Sequence, residues 1–102
     1  MAMRGKDRAA LRAEAHHLRA TVHVGHLGIT DTLLQSLYEA LEARELVKVQ
    51  VERNAPLPVK QVAAELAEQV GAEVVQVIGR KTTLYRHNPD LERKADGTPP
   101  WR

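Results

Sequence analysis

The chain has 102 residues, of which 43% are hydrophobic and 27% are charged, and its formal net charge is +2. This length and composition are typical of one folded domain and exclude a disordered chain or a separate substrate domain. The chain has no cysteine, which excludes disulfides and thiolate metal sites and makes a reducing cytoplasm the expected location. The N-terminal residues form no apolar segment long enough for secretion or membrane insertion, so we expect no membrane association.

Charge is distributed unevenly along the chain. Residues 1–30 carry five basic and two acidic side chains. Residues 31–79 carry four basic and eight acidic side chains, and residues 80–102 carry six basic and three acidic ones. All five histidines also lie in the two basic ends. If the fold brings those ends together, one side of the protein becomes a surface for a polyanion. Mixed charges that only keep the surface soluble are the alternative explanation.

The spacing of apolar residues predicts alternating helices and strands. Val47, Val49 and Val51 alternate with polar residues, which is typical of a strand covered on one face only. Thr30 is the expected N-cap of the second helix, and Gly71 is the expected C-cap of the third. The predicted helices cover residues 7–20, 31–44 and 59–70, and the predicted strands cover residues 21–24, 46–52, 72–79 and 82–86.

The order α-β-α-β-α-β-β predicts an α/β fold. Strands joined by a single helix are expected to be parallel neighbours, and a closing hairpin through residues 79–81 adds one antiparallel strand. With the helices on one face, the result is a two-layer sandwich with a mixed four-stranded sheet. Tyr38 lies on the apolar stripe of the second helix and is expected in the core. We expect a single domain over residues 7–88, with flexible termini at 1–6 and 89–102.

No arrangement of residues indicates catalysis. The sequence does not signal a serine or threonine nucleophile beside an oriented base. It also lacks an HExxH-like spacing for zinc, and His23 and His26 could share a metal only if the turn between them folded them together. We therefore predict no catalytic residue, no metal site and no cofactor.

The stretch GHLG at residues 25–28 is the strongest candidate for a binding feature. Its two glycines let the backbone turn sharply and present its N–H groups, and the next helix points its positive dipole end to the same place. In KH domains, a GxxG loop of this kind clamps the sugar-phosphate backbone. Glycines that serve only the turn itself are the alternative. The chain has no phenylalanine, two tyrosines and one tryptophan, which excludes an RRM with its stacking aromatics.

Three segments carry a family resemblance. They are "LRAEAHHLRATVHVGHLGIT", "LLQSLYEALEARELVKVQV" and "QVIGRKTTLYR", in this order along the chain. Their motifs A-H-x-L, G-x-x-G, E-L-V-K-V and V-I-G…L-Y-R resemble the CRM domain, named for chloroplast RNA splicing and ribosome maturation and also called the YhbY domain. The resemblance covers residues 11–86.

The resemblance implies a fold similar to the C-terminal domain of translation initiation factor three. It also implies RNA binding through the GxxG loop and adjacent basic residues, with bacterial members associated with precursors of the large ribosomal subunit. Bacterial relatives often have small polar residues inside GxxG, where this chain has a histidine and a leucine. The expected RNA contacts are Arg12, His16, Arg19, Gly25, His26, Leu27, Gly28, Arg80, Lys81 and Arg86.

Two functions from different classes follow. The first is a non-enzymatic, monomeric RNA-binding protein that grips structured ribosomal RNA or pre-large-subunit particles by phosphate contacts. The second is a protein-interaction module that docks on a ribosome-assembly partner through an acidic helical face. The carboxylates of that face are Glu39, Glu42, Glu65 and Glu68.

Overall fold

A computed structural model describes residues 5–88. Its elements are α1 (Gly5–Ala15), β1 (Ala20–Val24), α2 (Asp31–Arg44), β2 (Leu46–Val51), α3 (Val59–Val70), β3 (Glu73–Ile78) and β4 (Lys81–Tyr85). The predicted α/β class, the order of the elements and the mixed four-stranded sheet are confirmed. Residues 1–4 and 89–102, which belong to the predicted flexible termini, lie outside the described residues. α1 begins two residues before the predicted start of the domain.

The first helix is shorter at its C-terminal end than predicted. The amide of His17 donates to the carbonyl of Glu14 at 3.0 Å, and that of Leu18 donates to Ala15 at 3.2 Å. These three-residue spacings end the helix in a tight turn. Ala20 already pairs with β2, so the chain must leave the helix before that residue. His16 and Arg19 therefore lie beyond α1, not on it.

The strands form one sheet in the order β1-β2-β4-β3. β1 and β2 are parallel neighbours, as expected for strands joined by one helix. β4 lies between β2 and β3 and is antiparallel to both. The prediction that β2 and β3 would be neighbours was therefore wrong. The closing hairpin folds β4 back onto β2, so that β4 pairs on both of its edges.

Two helices cover one face of the sheet. Val47, Val49 and Val51 point to this face and pack with Leu37 of α2 and Leu66 of α3 in the main core. The strict alternation of β2 is thus explained by burial on one side. No helix within residues 5–88 is long and apolar enough to cross a membrane.

The two predicted helix caps have the expected geometry. The Oγ of Thr30 accepts the amide of Leu33 at 3.1 Å, which satisfies one donor at the start of α2. Gly71 ends α3 in the left-handed conformation, with φ of +69°. Pro58 occupies the N-cap position of α3.

The first helix packs on the opposite face of the sheet, over one end only. Leu11 of α1 packs with Leu46 and Val75, with Leu18 and Tyr85 beside them. Leu46 directly precedes Val47 on β2, so the two side chains point to opposite faces. The expectation that all helices share one face therefore holds for α2 and α3 alone.

The remainder of that opposite face carries five polar side chains and one isoleucine that is 56% exposed, and we call it the open sheet face. Residues that lie opposite one another on neighbouring strands form transverse rows across the sheet. Along each strand, rows whose side chains point to the open sheet face alternate with rows whose side chains point to the core. Each side chain of the open sheet face is half-buried or exposed, whereas Thr83 between them is buried. The open sheet face consists of His23, Lys48, Gln50, Gln76, Ile78 and Lys81.

Candidate nucleic-acid interface

Three connecting segments lie side by side at one end of the sheet, which we call the loop end. β1 and β2 are parallel and therefore finish there together, and the β3–β4 hairpin turns at the same place. Backbone hydrogen bonds join the segments. The amide of Glu52 donates to the carbonyl of Val24 at 2.8 Å, and that of Val51 donates to Arg80 at 2.7 Å. The three segments are residues 25–28, 52–58 and 79–80.

The two glycines of the GxxG turn differ in what the fold demands of them. The amide of Gly28 donates to the carbonyl of Gly25 at 3.0 Å and closes the turn. Gly28 is buried with φ of +69°, and a Cβ there would lie 3.0 Å from Cγ of Pro56. Gly25 does not have a positive φ, and a Cβ there would meet nothing within 4 Å. The turn therefore accounts for Gly28 but not for Gly25.

The tip of the turn faces solvent. His26 is exposed, and the side chain of Leu27 is 73% exposed. Among residues 5–88, no acceptor takes the amide hydrogens of His26 and Leu27. By contrast, Thr30 caps the start of α2 and Asp31 lies in its first turn, so an anion would compete with both. The backbone of the turn is more open to an anion than the helix end is.

Two arginines supply positive charge at the loop end. Arg53 and Arg80 are exposed and line an open cleft of about 520 Å³ together with Glu52, Pro56 and Gly79. A guanidinium can bind a phosphate through two parallel hydrogen bonds, so this pair suits a polyanion. The sequence pattern singled out Arg80 but missed Arg53. The one feature of the sequence that could have indicated Arg53 is its position just after the C-terminal end of a predicted parallel strand.

The ten predicted contacts do not form a single cluster. Residues 25–28 and Arg80 lie at the loop end, and Lys81 begins β4 on the open sheet face. Arg86 follows the far end of β4, about 20 Å from Arg80 at the rise of an extended chain. The exposed residues of the last turn of α1 and the segment after it also lie toward that far end, where β1 begins. Those residues are Arg12, His16 and Arg19.

Arg86 is held by side chains of α2. Its Nη1 donates to Oε1 of Glu42, and its guanidinium carbon lies 4.9 Å from the centroid of the Tyr38 ring. The hydrogen bond to Glu42 is the main cause of the raised pKa of Arg86, and Tyr38 adds to it. Tyr38, expected in the core, is 43% exposed and forms a platform for this cation. The structure thus gives Arg86 partners within the fold.

We expect Arg86→Ala to lower the free energy of unfolding by about 1–2 kcal/mol, because a partly exposed ion pair and a cation–π contact are lost. RNA affinity should stay within about twofold of the wild type, since Arg86 is far from the loop end. Urea denaturation and fluorescence anisotropy with labelled RNA measure the two quantities. Unchanged stability together with a tenfold loss of RNA affinity would contradict this expectation.

A buried carboxylate anchors the segment after β4. Glu45 is fully buried and is the C-cap of α2, with φ of +65°. Its Oε2 accepts the amide of Asn88 at 2.6 Å and lies 3.2 Å from Nδ1 of His87. The side-chain amide of Asn88 also donates to the carbonyl of Glu42 at 2.8 Å. The sequence pattern missed this anchor, because a glutamate between a helix and a strand is ordinarily exposed.

The chain matches the family model of the CRS1/YhbY (CRM) domain over residues 3–86. It belongs to this family. The "Probable RNA-binding protein YqeI" of Bacillus subtilis is 38% identical over 86 residues, which cover 84% of this chain and 90% of that protein. An "RNA-binding protein" of Haemophilus influenzae is 36% identical over 90 residues, which cover 87% of this chain and 88% of that protein.

A solved structure agrees with this assignment. The solution structure of the hypothetical protein SAV1595 from Staphylococcus aureus superimposes with a TM-score of 0.76 at 31% identity. The match covers 97% of this chain and all of that one. The resemblance to the CRM domain inferred from the motifs is therefore confirmed.

The helical face of this CRM domain is acidic. α2 and α3 together carry five carboxylates and two cationic side chains. Glu42 is bound to Arg86. Within residues 5–88, Glu39 and Glu65 accept hydrogen bonds from neutral glutamine amides alone, at 2.9 and 3.3 Å. This face repels a polyanion, so among residues 5–88 a polyanion is expected at the loop end, at the open sheet face or at the exposed basic residues around the end of α1.

The histidines of the CRM domain do not gather around a metal. His23 Nδ1 lies 3.2 Å from Oε1 of Glu52. Within residues 5–88, no three side chains of histidine, aspartate or glutamate are placed to hold an ion.

Proposed function

We propose that this CRM domain binds RNA and that the loop end grips the sugar-phosphate backbone. The observation that carries the proposal is the glycine at position 25. The fold does not require it, yet it lies in an exposed turn beside two exposed arginines. A close approach of another molecule to the backbone explains why a side chain is absent there. The names of the relatives support RNA as that molecule.

Each part of the loop end has a role in this proposal. The free amide hydrogens of His26 and Leu27 donate to phosphate oxygens at the tip of the turn. Arg53 and Arg80 neutralise the neighbouring phosphates from the other two segments. Gly28 keeps the turn in shape against Pro56. These contacts grip the backbone and carry no base-specific information.

The RNA that we propose is structured ribosomal RNA in precursors of the large ribosomal subunit. The association of bacterial CRM domains with such precursors, implied by the motifs above, supports this choice. In this proposal the protein acts in the cytoplasm as a monomer and performs no chemistry on the RNA. Docking of a protein on the acidic helices is less favoured, because Glu42 is already bound to Arg86.

A salt titration of RNA binding tests the proposal. If the protein neutralises about five phosphates, the logarithm of affinity should fall with the logarithm of salt concentration at a slope of about −3 to −5. The double variant Arg53→Ala/Arg80→Ala should bind large-subunit ribosomal RNA fragments about tenfold more weakly, with a slope smaller by about 2. Filter binding at several salt concentrations measures both quantities.

A matched control removes the same charge from the helical face. Arg44 and Lys60 are exposed on α2 and α3, so Arg44→Ala/Lys60→Ala should leave the affinity within about twofold. An affinity that does not depend on salt would overturn RNA binding by phosphate contacts. Equal losses in the two double variants would show that net charge, and not the loop end, determines binding.

A further inference from the structure

The open sheet face carries two lysines on neighbouring strands. Lys48 pairs in register with Thr83 and Lys81 pairs with Gln50, which makes the lysines diagonal neighbours about 7 Å apart. Among residues 5–88, neither lysine has a carboxylate partner. Partial burial and then the charge of Lys81 lower the pKa of Lys48. The two positive charges therefore lie close enough on the sheet to repel each other.

Within residues 5–88, two carboxylates at the margins of the same face each have a side-chain partner. Glu52, just beyond β2, lies 3.2 Å from Nδ1 of His23. Glu73 at the start of β3 lies 3.8 Å from a guanidinium nitrogen of Arg8. The guanidinium of Arg8 compensates the charge of Glu73, whereas Lys48 and Lys81 are cations of this face that have no carboxylate partner within residues 5–88. An anionic partner would relieve their repulsion, and the acidic helical face on the other side of the sheet cannot supply one.

The position of the lysines fits a strand of RNA that continues from the loop end. One transverse row runs from β1 through β2 and β4 to β3, directly beside the loop end, and spans about 14 Å across four strands. The next row contains Lys48, and α1 lies beyond it. Gln50 pairs in register with Lys81, and Gln76 pairs with Thr83, which is also the partner of Lys48. Side-chain amides can bond to the edges of unpaired bases.

We propose that the open sheet face is a second RNA contact surface, which takes single-stranded RNA leaving the loop end, with phosphates against Lys81 and Lys48. This inference rests on the proposed function and adds to it a second surface and a class of substrate. The RNA recognised is then a folded element with a single-stranded extension. The glutamines favour unpaired bases, because a duplex turns its base edges inward and offers side chains only a shallow groove.

Lysine footprinting tests the inference. The full chain is treated with an amine-acetylating reagent, and the modification of each lysine is followed by mass spectrometry. One probe is a stem–loop RNA, and the other is the same stem–loop with an extension of about 12 unpaired nucleotides. We expect the extended probe alone to slow acetylation of Lys48 at least about fivefold, because a phosphate contact covers the amine. Lys60 on α3 is the matched control and should react equally with and without either probe.

Two variants give a second readout. Lys48→Gln should weaken binding of the extended probe about fivefold and leave the plain stem–loop unaffected, and Lys48→Arg should restore binding. Protection of Lys48 by the plain stem–loop, or no protection by an extended probe that binds, would overturn the inference and leave the proposed function intact. Failure of both probes to bind at any salt concentration would overturn the proposed function and this inference with it.

Discussion

A Gly25→Glu variant is expected to fold with wild-type stability and to bind RNA about thirtyfold more weakly, a loss of about 2 kcal/mol. The stability should hold because position 25 has no positive φ and a Cβ there meets nothing within 4 Å. The affinity should fall because a carboxylate would stand where the phosphate approaches the backbone. Thermal denaturation and fluorescence anisotropy with labelled RNA measure the two effects.

The same substitution at Gly28 should behave differently. Its φ of +69° and the close approach of Pro56 make any side chain costly there, so we expect Gly28→Glu to lose about 1–3 kcal/mol of stability. If that variant bound RNA more weakly, the loss could come from unfolding as well as from the lost contact with RNA. Gly25 is therefore the position that separates the two effects.

A control adds the same charge elsewhere. Ser36 is exposed on α2, and Ser36→Glu should bind RNA as the wild type does. If Ser36→Glu and Gly25→Glu lost equal affinity, the effect would be one of net charge. If Gly25→Glu kept full affinity while folded, the GxxG turn would have a purely structural role.

A Glu45→Ala variant is expected to lower the free energy of unfolding by about 2–3 kcal/mol. The substitution leaves the buried backbone amide of Asn88 without the carboxylate that accepts it and so removes one of the hydrogen bonds that hold the segment after β4. It also leaves a residue with a Cβ at φ of +65°, so no backbone strain is relieved to offset the loss. Urea denaturation measures the change.

Two comparisons isolate the cause. Glu39→Ala, an exposed position on the same helix, should cost no more than about 0.5 kcal/mol. Glu45→Gln keeps an oxygen for the Asn88 amide and should lose less stability than Glu45→Ala. A Glu45→Ala protein as stable as Glu39→Ala would show that the buried carboxylate contributes nothing to stability.

The sequence by itself determined the elements and their order. Thr30 caps α2 through its own side chain, Gly71 ends α3 in a left-handed conformation, and the valines of β2 alternate with the period of a strand. These properties depend on residues a few positions apart, so periodicity and capping chemistry were enough to predict them. The motifs likewise identified the family, because they are local stretches in a fixed order.

Only the tertiary structure decided which of these residues meet. The return of β4 onto β2 places Arg80 beside Arg53 and sets Lys81 diagonal to Lys48, whereas it carries Arg86 away to Glu42 and Tyr38. A Cβ at position 28 would meet Pro56, which lies 28 residues further along the chain, whereas a Cβ at position 25 would meet nothing within 4 Å. Pairings over such separations depend on strand order and burial, and a one-dimensional pattern contains neither.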